Sequence, residues 1–246
     1  MELISTVKMK KAQESVVSLR PFALAALDIL SQISHTEDVL GVYGKAPVAT
    51  RELSILVAAQ KGLCGGYNVN VFKKATEYIR DDIDTPYTRE YDYITIGKRS
   101  RDFILRTGQS LLADFSDEIR DPITLAESRR MVRFAISEWE TGKYSKVSII
   151  YNHYVSAITQ LPIVKSLFPI DRNEIESFLH RATGTTSSES TDLSYTIEPD
   201  TTTIVEYTIP MILDAMIHET LLEARASEHA ARMIAMKNAK DSANKK

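Results

Sequence analysis

The last part of the sequence, from about Thr208 to Lys246, contains no glycine and a single proline, Pro210. Its apolar residues recur at intervals of three, four and seven, which places them on one face of an α-helix. They are Leu213, Ile217, Leu221, Ala224, Ala231 and Ile234. We place Pro210 in the first turn, where a helix tolerates proline. At about 1.5 Å per residue, the helix extends on the order of 55 Å and has to project from its domain or pair with another helix.

The beginning of the sequence offers a partner helix. No glycine occurs from Met1 to about His35, and apolar residues again recur at helical spacing, at Phe22, Ala26, Ile29, Leu30 and Ile33. Pro21 predicts a kink between residues 1–20 and the helix that follows, because proline removes a backbone donor. Two apolar stripes at the two ends of one chain predict an antiparallel coiled coil.

The middle of the chain alternates between strand-like and helix-like segments. Strands are predicted at residues 53–59, 91–96, 147–151 and 163–168, with helices opened by Asn68 and Thr124. This alternation predicts an open, mostly parallel α/β sheet with flanking helices, similar to a Rossmann domain. A Ser-, Thr- and Gly-rich stretch from Arg181 to Asp192 is interpreted as a loop. We therefore divide the chain into an N-terminal helix (1–48), a central domain (49–207) and a C-terminal helix (208–246).

Composition narrows the possible functions. A net charge of −3 and a pI near 6.0 lack the basic surplus typical of nucleic-acid binding. No apolar run reaches the roughly 18–20 residues of a transmembrane helix. A single cysteine, Cys64, excludes an internal disulfide.

One glycine-rich segment, Lys61 to Asn68, follows a strand and precedes a helix, where phosphate-binding loops occur. It lacks both the G-x-G-x-x-G spacing and the Lys-Ser/Thr pair of a P-loop. We interpret Gly62, Cys64, Gly65 and Gly66 as a tight structural turn, with Cys64 as a small buried hydrophobe.

The remaining polar residues show no catalytic, cofactor or metal signature. The five histidines have neither H-E-x-x-H nor Cys/His zinc spacing. Glu219, Glu223 and Glu228 lie on a mixed-charge helix and are interpreted as a solvated face, on which Glu228 and Arg232 form an i, i+4 pair. We therefore predict a non-enzymatic protein without a cofactor or a direct small-molecule substrate.

Several segments together resemble the gamma subunit of F-type ATP synthases. The turn Lys61 to Asn68 resembles that family's GLCGG-type turn, and Leu221 to Met233 resembles its ASE-x-AARM helix. Lys8 to Gln13 with Arg20-Pro21-Phe22, and Tyr195 to Asp200, are similar to the first helix and to the central domain. The resemblance covers nearly the whole chain in the same order.

The resemblance implies a central-stalk rotor that couples proton flow to ATP synthesis or hydrolysis and binds no nucleotide itself. The implied partners are the alpha and beta subunits of the catalytic hexamer, the epsilon subunit and the membrane c-ring. One copy per complex is expected, peripheral on the cytoplasmic face of a bacterial plasma membrane.

Roles for individual residues also follow from the resemblance. Contact with the alpha/beta ring, near the beta subunits' acidic lever, is implied for Met1, Lys8, Glu228 and Arg232. Contact with epsilon and the membrane ring is implied for Tyr195 and Glu198.

The sequence departs from the family pattern at both ends. Family members begin several helical turns before the position of Met1 and continue past Asn244, so we expect a gamma chain shortened at both termini. Two alternatives remain open: a truncated, gamma-like coiled-coil adaptor without rotary function, and a Rossmann-type enzyme, which would require phosphate-binding and acid/base residues at the strand ends.

Overall fold

Five strands form the single sheet of the central domain. They are β1 (Arg51–Val57), β2 (Glu90–Ile96), β3 (Ser110–Asp114), β4 (Tyr144–Tyr154) and β5 (Gln160–Phe168). The sheet order is β3-β2-β1-β4-β5, and every neighbouring pair is parallel except β4 with β5. The predicted open, mostly parallel α/β sheet is confirmed.

The coordinates are a computed structural model that describes residues 2–18, 21–22, 25, 43–83, 89–171, 173, 175, 177–178 and 201–244. Met1, Tyr195 and Glu198 lie outside these residues. So do residues 181–192, interpreted above as a loop, and Arg20, which immediately precedes the predicted kink.

Among the residues that the structure describes, the helices with defined bounds are α1 (Glu2–Val17), α2 (Tyr67–Ile83), α3 (Lys98–Arg106), α4 (Leu125–Glu140) and α5 (Thr201–Asn244). The predicted start of α4 is confirmed, because Thr124 caps it and Glu127 completes a capping box. Asn68, however, is not the cap of α2, because it lies inside the helix, which begins at Tyr67. No described helix is both long and apolar enough to cross a membrane.

The sheet is covered by helices on both faces. On one face α4 and α5 bury a large apolar cluster, in which the rings of Trp139 and Phe168 stack with centroids 5.1 Å apart. On the other face α2 and α3 pack over Tyr93 and Ile150, with Phe72 stacked on Phe103 at 4.3 Å. This burial on both faces explains why β1 and β2 consist of nearly continuous buried residues.

The C-terminal helix α5 runs for 44 residues and begins at Thr201, before the predicted Thr208. Pro210 therefore lies inside the helix, and its predicted place in the first turn is wrong. A proline at an interior position removes one backbone hydrogen bond. Burial of the flanking Ile209 and Ile212 in the core stabilises the helix across this position.

The two terminal helices pack against each other. Thr6 of α1 lies 3.1 Å from the sulfur of Met233 in α5, measured from its hydroxyl oxygen. Further along α1, Val16 lines a small cavity together with Glu223 and Ala226. The residue numbers of the contacts thus increase along α1 as they decrease along α5. The predicted antiparallel pairing is confirmed.

A prediction concerns Gly97, which ends β2 with φ +95°. A Cβ there would collide with the carbonyl oxygen of Ala58, whereas a Cβ at Gly108, which also has positive φ, meets nothing within 4 Å. We expect Gly97→Ala to lower the free energy of unfolding by about 3 kcal/mol, from backbone strain and overpacking together. Gly108→Ala should cost about 1 kcal/mol, from strain alone.

Urea denaturation of both variants measures this difference. Equal losses of stability in the two variants would contradict the assigned close approach of Gly97 to the β1–α2 connection.

Candidate functional site

A cleft of about 700 Å³ lies where the paired helices α1 and α5 meet the carboxyl ends of β1 and β2. Its walls come from α1, from the β1–α2 connection, from the segment after β3 and from α5. Charged residues dominate the lining: Lys8, Lys61, Lys98, Asp117, Arg120, Asp121, Arg225, Glu228, His229 and Arg232. The cleft contains six lysine and arginine residues against three carboxylates, so it is positive although the chain as a whole is negative.

The β1–α2 connection, residues 58–66, contains the glycine-rich turn of residues 62–66. Leu63 and Gly65 adopt positive φ values of 63° and 57°. A Cβ on Gly65 would lie 3.8 Å from the Cβ of Ala235, so α5 occupies the space directly in front of the turn. The Asn68 side chain accepts a hydrogen bond from the Ala59 amide at 3.0 Å. Cys64 is buried as predicted, and this burial raises the pKa of its thiol.

The charged centre of the site lies on α5. Arg225 donates to one oxygen of Glu228 at 2.6 Å, and Arg232 donates to the other oxygen at 2.7 Å. Glu228 is only 4% exposed and Glu219 only 7%, so the predicted solvated face is wrong for both residues. The prediction of an i, i+4 pair between Glu228 and Arg232 is confirmed.

The two arginines decide the charge state of Glu228. Burial alone would raise its pKa, but the neighbouring guanidinium groups outweigh burial and hold the pKa below its ordinary value. The same pairing keeps the pKa of the buried Arg225 above its ordinary value, despite desolvation. The three side chains therefore form a buried network of permanent charges.

This network is tied to the central domain. Arg225 also donates to the carbonyl oxygen of Ile119 at 3.2 Å, and Arg232 donates to that of Lys61 at 3.2 Å. The Tyr67 hydroxyl donates to the carbonyl of Ala224 at 3.0 Å. Together these bonds hold α5 between the glycine-rich turn and the segment that follows β3.

A second charged group continues the network toward α1. His229 lies one turn of α5 before Arg232, and its Nε2 atom is 3.2 Å from Asp121 Oδ2. Lys8 of α1 donates to the same oxygen at 2.6 Å. These contacts hold the pKa of Asp121 well below its ordinary value, mainly through His229 and also through Lys8, against the effect of burial.

A further contact lies on the other side of α5. Glu223 accepts hydrogen bonds from the Tyr151 hydroxyl at 3.1 Å and interacts with His153 Nδ1 at 3.0 Å. Glu223 is half-buried rather than solvated, so α5 is bound to the end of β4 as well.

The structure thus brings together several residues that the sequence singles out. Lys8, Glu228, Arg232 and Gly62 line the cleft, and Cys64, Gly65 and Gly66 lie in the turn beside it. Sequence reasoning missed Arg225, His229 and Asp121. Arg225 stands three residues before Glu228, a spacing that could have indicated the pair, whereas no local pattern marks Asp121.

The arrangement is suited to mechanical attachment. Each carboxylate of the cleft is paired with a basic side chain, and Cys64 has a raised pKa rather than the lowered one of a nucleophile. No group of three or more His, Cys, Asp or Glu residues in the described part of the chain could hold a metal ion. A two-helix rod held on an α/β domain by packing, hydrogen bonds and an ion pair defines a structural class of protein.

Comparison with known proteins gives the family. A family model described as ATP synthase matches residues 1–246. The ATP synthase gamma chain of Pelotomaculum thermopropionicum is 30% identical over 248 residues, covering 99% of this chain and 80% of that relative. The gamma chain of Opitutus terrae is 32% identical over 251 residues, covering 100% and 81%.

Solved structures agree at the level of fold. The central stalk/c-ring structure of Tetrahymena thermophila mitochondrial ATP synthase gives a TM-score of 0.67 at 19% identity, covering 98% of this chain and 97% of the other. The chain belongs to the ATP synthase gamma-chain family, the central-stalk rotor subunits. It is a non-catalytic subunit, and the whole-chain match favours this over the coiled-coil adaptor and the Rossmann-type enzyme.

A prediction follows from the buried charges. Glu228→Gln removes the partner of two guanidinium groups and leaves Arg225 buried without a counter-charge, so we expect a loss of about 3–5 kcal/mol in unfolding free energy. The matched control is Glu77→Gln, which breaks an exposed pair with Lys73 at 3.8 Å and should cost less than about 0.5 kcal/mol. Urea denaturation at neutral pH measures both changes, and a loss for Glu228→Gln no larger than that of the control would contradict the network.

A second prediction concerns acid. Because the folded-state pKa of Asp121 lies below its ordinary 3.8, the carboxylate stabilises the fold above that pH, and its contribution disappears as the pH falls toward the folded-state value. We expect wild type to be more stable than Asp121→Asn at pH 6, with a difference that shrinks steadily between pH 4 and pH 2. Urea midpoints across this range measure the difference, and a constant difference would exclude a lowered pKa of Asp121.

Proposed function

We propose that this chain couples proton flow through a membrane ring to ATP synthesis or hydrolysis, by rotating inside a ring of alpha and beta subunits. Its further partners are the epsilon subunit and the c-ring, with one copy per complex on the cytoplasmic face of a bacterial plasma membrane. The observation that carries the proposal is the antiparallel rod of α1 and α5, anchored to one end of an α/β domain by hydrogen bonds from Arg225 and Arg232 and by the ion pair of Lys8 with Asp121. The family match of the whole chain supports it.

Coupling requires that the rod interact differently with each surrounding subunit. The rod has no internal symmetry: α1 exposes Leu3, Ile4 and Val7, whereas α5 is buried along most of its length between Ile209 and Ala230. As the rod turns, each surrounding subunit meets a different face. The conformational equilibrium of a surrounding subunit can shift only by the difference between the free energies with which its two conformations contact the rod. The unlike faces of the rod supply that difference.

Lys8, Glu228 and Arg232 take different parts in the proposed contact with the alpha/beta ring. The side chains of Lys8 and Arg232 line the positive cleft and remain 46% and 13% exposed, so both can present charge to an acidic partner segment. Glu228 is nearly inaccessible and holds Arg232 in position. The positive lining of the cleft suits the acidic lever that the family resemblance implies for the beta subunits.

The other assignments rest on the resemblance. Met1 is proposed to extend the surface of α1 that meets the alpha/beta ring. Tyr195 and Glu198 are proposed to form the foot that contacts epsilon and the membrane ring.

The test uses assembled complexes reconstituted in vesicles. Arg232→Gln removes one of the charges of the cleft, and Glu198→Gln removes one from the proposed foot. We expect both variants to pump fewer protons per ATP hydrolysed, because each lost charge-assisted contact weakens torque transfer by an amount on the order of 1.5–3 kcal/mol. Proton uptake and phosphate release, measured on the same vesicles, give the ratio.

The control is Arg106→Gln, which removes an exposed charge at the end of α3, away from the rod. It should leave the ratio of protons to ATP at the wild-type value. Unchanged pumping in both Arg232→Gln and Glu198→Gln would overturn the proposed contacts.

A further inference from the structure

The rod transmits rotation only if both of its helices are fixed to the α/β domain. Helix α5 is fixed by packing and by the bonds of Arg225, Arg232 and Glu223. Helix α1 packs mainly along α5 and leaves one side exposed at Leu3, Ile4 and Val7. Apolar contacts are not directional, so packing alone permits α1 to slip along α5.

The contact between Lys8 and Asp121 supplies a directional attachment. Among the described residues, it is the ion pair that joins α1 to the α/β domain. Asp121 belongs to the segment between β3 and α4, and its Oδ2 atom also faces His229 of α5 at 3.2 Å. A single carboxylate oxygen of the domain therefore meets one cationic or donor group from each helix of the rod.

The tautomer of His229 fits this arrangement. An arginine guanidinium can only donate hydrogen bonds, and Arg232 Nη1 lies 3.5 Å from His229 Nδ1. Nδ1 is therefore the acceptor, which places the ring proton on Nε2; this buried nitrogen lies 3.2 Å from Asp121 Oδ2, a close polar approach without hydrogen-bond geometry. Lys8, Asp121, His229, Arg232 and Glu228 form one continuous row of polar contacts, in which Asp121 and His229 meet by close approach and the other neighbours by hydrogen bonds.

Asp121 is itself carried by a well-anchored segment. We define the 115–123 loop as the residues between β3 and α4 that contain it. Phe115, Ile119 and Ile123 of this loop are buried in the main core. The Phe115 amide donates to the Thr95 carbonyl at the end of β2, at 2.9 Å, and Arg225 donates to Ile119. A force applied to Asp121 thus passes directly into the sheet.

We propose that Asp121 is a clasp that fixes α1 and α5 together to the α/β domain, so that rotation of the domain turns both helices of the rod without slip. Asp121 is a positioning residue, and the inference rests on the rotor function proposed above. The 115–123 loop connects the α/β domain to the rod, and it contacts the rod at Lys8 of α1 and at His229 of α5.

The attachment is tested first on the full chain by hydrogen exchange. Asp121→Asn weakens the contacts with Lys8 and His229, so amides of α1 should exchange about tenfold faster, the factor expected when a hydrogen bond to a charged group is lost. Exchange in α2, which lies on the opposite face of the sheet, should not change. The matched control is Asp102→Asn, an exposed carboxylate of α3 paired with Arg101 at 3.3 Å, which should leave α1 unchanged.

The Lys8→Gln variant separates the clasp from general destabilisation. If Asp121 acts on α1 through Lys8, Lys8→Gln should accelerate α1 exchange, and the double variant should be no faster than the faster single variant. Independent, multiplicative effects of the two changes on α1, or equal acceleration in α1 and α2, would overturn the clasp.

The mechanical role is tested in the assembled complex, with a rotation probe attached to the α/β domain and the alpha/beta ring fixed. Asp121→Asn should broaden the angular fluctuations of the probe in a stalled complex, at an unchanged rate of ATP hydrolysis, while Asp102→Asn matches wild type. Faster α1 exchange with wild-type fluctuations would overturn the clasp while leaving the rotor function intact. A wild-type complex that hydrolyses ATP without turning the probe would overturn the rotor function and the clasp with it.

Discussion

The burial of Glu228 between Arg225 and Arg232 is the interaction on which the rest of the site depends. A carboxylate removed from water is costly unless charged donors satisfy both of its oxygens, and here one guanidinium bonds to each oxygen. The same two guanidinium groups also donate to the carbonyl oxygens of Ile119 and Lys61, and these directional bonds fix the rotation and position of α5 on the domain. Apolar packing can supply the binding energy of the rod, whereas these directional bonds to the domain specify its angle relative to the sheet.

The position of this network relates the fold to its use. In open α/β sheets, ligands bind at the carboxyl ends of the strands, where neighbouring connections leave in opposite directions. Here α5 occupies that place: Ala235 lies against Gly65, and Arg232 bonds to the carbonyl of Lys61. The position of the glycine-rich turn suggests phosphate binding, but helix α5 of the same chain packs against the turn. The strand order resembles that of doubly wound nucleotide-binding domains, whereas the crevice at the strand ends is occupied by a helix of the rod.

Much of the fold could be predicted because the spacing of apolar residues along the sequence indicates helices and strands. The apolar spacing of the C-terminal helix predicts a helical partner, and the buried runs of β1, β2 and β4 predict a parallel sheet. Ala26, Ile29, Leu30 and Ile33 of the predicted N-terminal stripe lie outside the described residues, and the observed pairing is made by residues 2–17. Helix α3 and strand β3 were not predicted, because α3 is short and highly charged and β3 is a half-buried edge strand with a weak apolar pattern.

The error at Glu228 has a different cause. Charges spaced by three and four residues look alike on a solvated helix and on one buried against a domain, since the spacing specifies only neighbours on the same helix. What buries Glu228 comes from elsewhere in the chain: the 115–123 loop and the β1–α2 connection. The partnership of Asp121 with Lys8 and His229 was missed for the same reason, because those residues are separated by more than a hundred positions in the sequence.

The distribution of exposure along α5 gives the rod two mechanically different parts. Residues 212–230 are almost entirely buried and held by the ion-pair network, whereas residues 237–244 are exposed and extend beyond the domain. A helical end without tertiary contacts is marginally stable in water, so this part gains rigidity only from neighbours. In the proposed rotor those neighbours are the surrounding subunits. Directional bonds thus hold the rod where it meets its own domain, and the exposed residues 237–244 are available to the surrounding subunits of the proposed rotor.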